Sequence, residues 1–87
     1  MITVSRLLRQ ARRAQGLTYE KLARKTRIKS VFLEAIEHEQ WHNLPEYPVV
    51  LGFVRNIGAT LDLDEDKVAA FLRRDYPQKK LAVNPKP

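Results

Sequence analysis

Cysteine is absent from this 87-residue chain, which excludes a disulfide framework and any thiolate metal site. Histidine is almost absent as well. His38 and His42 have the i,i+4 spacing of helical metal ligands, but only Glu37 and Glu39 stand nearby, too few donors to complete a site, so no metal is expected. The three glycines, Gly16, Gly52 and Gly58, are isolated and form no phosphate-cradling loop. Ser5 and Ser30 are the only serines; both read as helix-start residues, and no histidine is placed to activate either one. The acidic run Asp62, Asp64, Glu65, Asp66 lacks the glycine and the length of a calcium loop and reads as helix capping. Catalysis, a cofactor and a small-molecule substrate are therefore not expected.

Long apolar runs are also missing. Nothing approaches the roughly 18 residues of a membrane span, and Met1 leads into an arginine-rich amphipathic stretch rather than a signal-peptide core. The expectation is a cytoplasmic domain in a reducing compartment. At this length, folding removes about 9,000 Å² from water, roughly 64% of what the unfolded chain exposes, which allows one modest core and no deep cleft.

What is present is basic and helical. Sixteen Lys and Arg stand against ten Asp and Glu, for a net charge of +6. Apolar residues recur at helical spacing, with no sustained alternation, so the fold expected is all-α. The first helix is predicted from Val4 to Gln15, capped by Thr3, with Val4, Leu7, Leu8, Ala11 and Ala14 inward and Gly16 at its left-handed end. Arg6, Arg9, Arg12 and Arg13 fall outside that stripe. Thr18 caps a second helix, Tyr19 to Thr26; a third follows from Ser30 to Glu39 and makes a helix-turn-helix. Pro48 opens a fourth, Val49 to Leu61, and Asp64 caps a fifth, Glu65 to Asp75. The domain spans residues 1–76. Residues 77–87 read as an extended, basic, proline-containing linker leaving the domain.

Charge divides these elements. Up to Lys29 there are nine Lys and Arg against Glu20 alone, whereas Ser30 to Pro48 hold four Glu and no cation. A DNA-reading helix-turn-helix would place Lys29, Ser30 and Val31 at base edges and Arg12, Arg13 or Lys25 on phosphates. Against this, Glu34, Glu37 and Glu39 would meet a polyanion, so any nucleic-acid binding is expected to be weak and non-specific. On the fourth helix, Val50, Val54, Ile57 and Leu61 lie within about 60° and form an adequate core stripe. Phe53 and Val49 lie on the flank shared with Asn56 and Thr60, with Leu51 on the other flank. That is more apolar surface than one-sided packing requires, and it points to a partner.

Leu8-Arg9-Gln10-Ala11-Arg12, Gly16-Leu17-Thr18, Leu22-Ala23, Thr26-Arg27-Ile28, Leu33-Glu34-Ala35-Ile36-Glu37, Leu44-Pro45 and Gly52-Phe53-Val54-Arg55 together resemble the cytoplasmic N-terminal domain of the RodZ family of bacterial cell-shape proteins. The likeness runs from about Thr3 to Leu72. It implies a five-helix domain of Cro/repressor type that has exchanged DNA for the actin-like filament protein MreB, followed by a basic linker near an anionic membrane surface and a single inner-membrane span. It also implies a partner surface on the fourth helix at Tyr47, Val49, Phe53, Arg55 and Asn56. The family often has an aromatic residue where this chain has Val49, with Tyr47 as the nearby ring, and an Arg where it has Leu51. The alternative expectation remains a repressor-like DNA-binding regulator.

Overall fold

Three of the five helix starts are set by hydroxyl or carboxylate caps. In the computed structural model, which describes residues 1–77, Thr3 Oγ1 accepts the Arg6 N–H at 3.2 Å and opens α1 (Val4–Ala14). Thr18 Oγ1 accepts the Lys21 N–H at 3.1 Å and opens α2 (Tyr19–Thr26). Asp64 accepts from Asp66 and Lys67 at 2.9 and 3.2 Å and opens α5 (Glu65–Asp75). Each cap satisfies N–H groups that have no partner within the helix. Between them run α3 (Ser30–Glu37), a 3-10 turn (Trp41–Asn43) and α4 (Tyr47–Thr60). The described residues contain no strand, and the fold is an all-α, five-helix helix-turn-helix domain.

Four boundaries differ from the sequence expectation, one of them by a single residue, where α4 ends at Thr60 rather than Leu61. Helix α3 stops at Glu37 rather than Glu39, because Glu39 turns left-handed (φ 57°) and the Gln40 N–H reaches back to the Ala35 carbonyl at 2.8 Å. The segment that follows forms the 3-10 turn, so His38 and His42 do not share one helix. Helix α4 begins at Tyr47, which puts Pro48 at its second position, where the missing N–H costs nothing. Helix α1 ends at Ala14, and Ala14 itself is exposed rather than part of the inner stripe.

The core is one cluster that joins every element. Val4 and Leu8 of α1, Leu22 of α2, Leu33 and Ile36 of α3, Val50, Val54 and Ile57 of α4, and Val68 and Leu72 of α5 are all essentially inaccessible. Each of these larger aliphatic side chains contributes roughly 1.5–3 kcal/mol on burial. Helices α4 and α5 pack most closely: a Cβ added at Gly58 would stand 3.3 Å from a Val68 methyl. The start of α1 is tied to the end of α5, since the Val4 N–H donates to Asp75 at 2.7 Å and Arg74 donates to the Ile2 carbonyl at 2.6 Å. Pro77 is the last described residue, and the linker expected at 77–87 lies, apart from it, outside the described residues.

Candidate interaction surface

Helix α4 distributes its candidate residues over three sides. The core stripe of Val50, Val54 and Ile57, continued by Leu61, is buried as its spacing requires. Val49 and Phe53, about 40° apart around the helix, occupy one flank. Val49 is 44% exposed. Phe53 is half-buried and stacks on Phe32 of α3, with ring centroids 5.6 Å apart and planes inclined by 27°. The Phe32 ring thus braces Phe53 from behind. Asn56 belongs to the same flank; its Nδ2 donates to the Thr26 carbonyl at 2.8 Å, fastening α4 to the end of α2 while the side chain stays at the surface.

The other two candidates on α4 lie elsewhere. Tyr47 is about 120° around the helix from Phe53. Its ring meets Tyr76 edge-on at 4.9 Å, and Tyr76 in turn meets Trp41 at 5.1 Å. The Tyr47 and Tyr76 hydroxyls are both buried without a hydrogen-bond partner. Burial raises the Tyr76 phenol above its ordinary value, and the neighbouring Tyr47 adds to this. Tyr47 therefore closes an aromatic group between the 3-10 turn and the end of α5. Arg55 is about 160° from Phe53 and pairs with Asp66 of α5 at 3.0 Å. It borders a shallow depression with Leu51, Ala69 and Arg73.

The candidates for a DNA-facing surface also separate. Lys29 precedes α3 as an exposed residue with no side-chain capping bond, Ser30 is half-buried, and Val31 is 60% exposed. Arg13 is exposed on α1, and Lys25 lines a shallow basic depression with Lys21 and Arg24. Arg12, in contrast, turns inward. Its Nε and Nη2 donate to the two Glu37 oxygens at 2.7 and 3.0 Å, its Nη1 donates to the Leu17 carbonyl at 2.8 Å, and its guanidinium lies 4.2 Å from the centre of the Tyr19 ring. The Tyr19 hydroxyl donates to Glu37 at 3.0 Å.

This arrangement corrects two sequence expectations. Glu37 is buried and neutralised, so it presents no carboxylate to a polyanion, and Arg12 is spent on it. The hydrogen bond to Glu37 raises the Arg12 pKa above its ordinary value; burial raises the Tyr19 phenol, and its bond to Glu37 raises it further. The signal for the ion pair is present in the sequence: Arg12 follows Ala11 and stands four residues after Leu8, at the edge of the buried stripe of α1. Glu37 likewise follows Ile36. What the sequence does not provide is the crossing of α1 and α3 that brings the two together. Among the described residues, no group of three or more His, Asp or Glu is placed to hold a metal ion, and no helix is long and apolar enough to cross a membrane.

With this geometry in place, comparison with known proteins gives a single result. A family model described as a helix-turn-helix domain matches residues 7–68, from α1 into α5. No curated protein and no solved structure matches the chain.

Proposed function

The chain belongs to the helix-turn-helix domain family, and on that premise we propose that it is a non-enzymatic adaptor of RodZ type, which binds an MreB-like filament and links it to the bacterial inner membrane. The observation that carries this reading is the outer flank of α4. Val49 is 44% exposed beside a Phe53 ring held in place by Phe32, and the core stripe of the same helix is complete without either residue. An exposed aliphatic residue beside a pre-positioned aromatic ring is the chemistry of an interface anchor. The motif from Leu33 to Arg55 supplies the partner class, with Val49, Phe53 and Asn56 as the contact group.

Co-sedimentation with MreB filaments tests it. Phe53→Ala and Val49→Ala should each weaken binding, Phe53→Ala by about thirtyfold, while the circular-dichroism spectrum stays helical. Unchanged co-sedimentation of folded Phe53→Ala protein would remove the proposal.

One observation favours a second reading. With Glu37 buried and Glu39 beyond the helix end, Glu34 is the one exposed carboxylate on α3 itself, so this helix opposes a phosphate backbone less than its composition suggests. A repressor-like use of Lys29, Ser30 and Val31, with Arg13 and Lys25 on phosphates, is the alternative.

A further inference from the structure

Helix α1 carries a second surface, unrelated to the α4 flank. Arg6, Arg9 and Arg13 are all exposed and fall within about 60° of one another around the helix, a row about 10 Å long. The ion pairs of the described residues are Arg12 with Glu37, Arg55 with Asp66 and Arg74 with Asp75. None involves this row. Like charges at one-turn spacing repel, so the row costs folding free energy that no carboxylate on the helix offsets.

The position of the row is as informative as its charge. The first turn of α1 is held against the last turn of α5 by Asp75 and Arg74, so Arg6 stands near the point where the chain leaves the domain at Tyr76 and Pro77. The sequence that leaves carries Lys79, Lys80 and Lys86 and has no acidic residue after Asp75. The basic row therefore begins at the same end of the molecule as Pro77, the last described residue. The apolar side of α1, Val4 and Leu8, is committed to the core, so the helix has nothing to insert into hydrocarbon and can act only by charge.

We propose that the Arg6, Arg9 and Arg13 row is a docking surface for the phosphate plane of an anionic lipid bilayer, and that it lays α1 flat against that plane at the end where the chain departs. A bilayer surface presents phosphates in two dimensions without register, so a row of three cations engages it without any sequence or base matching. Nucleic acid would need base-reading groups on the same face for a specific complex, and Gln10 is the one uncharged polar side chain between these arginines. The surface goes beyond the adaptor reading and does not depend on it.

The test uses the 87-residue chain and sedimentation with vesicles of phosphatidylcholine alone or with about 30% phosphatidylglycerol, at about 100 mM salt. Binding should require phosphatidylglycerol and fall as salt rises. Replacing all three residues (Arg6→Gln, Arg9→Gln, Arg13→Gln) should reduce partitioning about tenfold or more. The charge-preserving set (Arg6→Lys, Arg9→Lys, Arg13→Lys) should keep it. The control set Lys21→Gln, Arg24→Gln, Lys25→Gln removes the same charge from α2 and should cost less than about threefold. Phe53→Ala should bind vesicles like the unaltered chain, which separates this surface from the filament site. Equal losses from the α1 and α2 sets would mean net charge alone and would overturn the proposal. So would unchanged binding of the α1 set, or an α1 set that loses duplex DNA binding while keeping the vesicles.

Discussion

At the scale of single residues, two charged groups do structural work that composition alone would assign to the surface. The Arg12 and Glu37 side chains are 11% and 4% exposed and share two hydrogen bonds, with Tyr19 and the Leu17 carbonyl completing the set. Removing one member strands a buried charge. Glu37→Ala should therefore lower stability by about 3 kcal/mol or more, whereas Arg12→Met combined with Glu37→Leu should recover most of that loss. Urea denaturation of the three proteins decides it, and a Glu37→Ala loss below about 1 kcal/mol would contradict the assignment. Asp75 is the second group. The hydrogen bond from Arg74 holds its carboxyl below the ordinary value, burial opposes this, and the Val4 N–H adds to the lowering. A depressed folded-state pKa gives stability that is fully present above the ordinary carboxylate value near 4 and is lost as pH falls through the depressed one. Asp75→Asn should thus melt below the unaltered protein at pH 6, with the gap closing below about pH 3. A gap that persists at low pH would show that the carboxylate charge is not its source.

Among the elements, the helix ends divide the chain into what its sequence reveals and what it conceals. Helix α1 closes with Gly16 at φ 66°, the Leu17 N–H bonding the Arg12 carbonyl at 3.1 Å. Helices α3 and α4 close in the same way, the Gln40 and Leu63 N–H groups reaching Ala35 and Gly58, but the left-handed residues are Glu39 (φ 57°) and Asp62 (φ 67°). A side chain in that conformation costs about 1–2 kcal/mol, and a glycine there gives back part of the gain in backbone entropy. Glu39→Gly should stabilise the domain by about 0.5–1 kcal/mol, a rise of several degrees in melting temperature, with a smaller gain for Asp62→Gly because Asp tolerates the conformation better. A fall in melting temperature for Glu39→Gly would mean that the Glu39 side chain supplies an interaction of its own. The same contrast explains how far sequence reasoning reached. Thr3, Thr18, Asp64 and Gly16 carry local signals, and the ends they mark agree with the structure to within a residue. The end of α3 has no glycine, and its boundary is misplaced by two residues. The α4 core stripe was legible from spacing alone. The brace behind Phe53 was not, because Phe32 is remote in sequence and meets it only in the folded chain, and neither was the diversion of Tyr47 toward Tyr76.

Across the whole molecule, charge is arranged so that the helix best placed to enter a groove is not the one that carries the cations. The net charge is +6, yet α3 itself has no Lys or Arg, and Lys29 stands only at its threshold. The exposed cations of the described helices stand on the other elements: Arg6, Arg9 and Arg13 on α1, Lys21, Arg24 and Lys25 on α2, and Lys67, Arg73 and Arg74 on α5. Beyond Lys29, the first turn of α3 offers a half-buried Ser30 and the apolar Val31, followed by the exposed carboxylate of Glu34. Such a molecule attracts a polyanion through its field without reading it, since phosphate attraction carries no sequence information and base edges need placed donors and acceptors. Duplex DNA should therefore bind no more tightly than roughly micromolar at about 150 mM salt, equally for unrelated sequences, and with an affinity that falls steeply as salt is raised. Fluorescence anisotropy with several labelled duplexes across a salt series measures all three properties. A nanomolar complex with one sequence, lost on Lys29→Ala or Ser30→Ala while the fold persists, would establish the repressor-like reading. A uniform micromolar response, unchanged by Ser30→Ala, is the result expected of a helix-turn-helix whose recognition helix does not read bases.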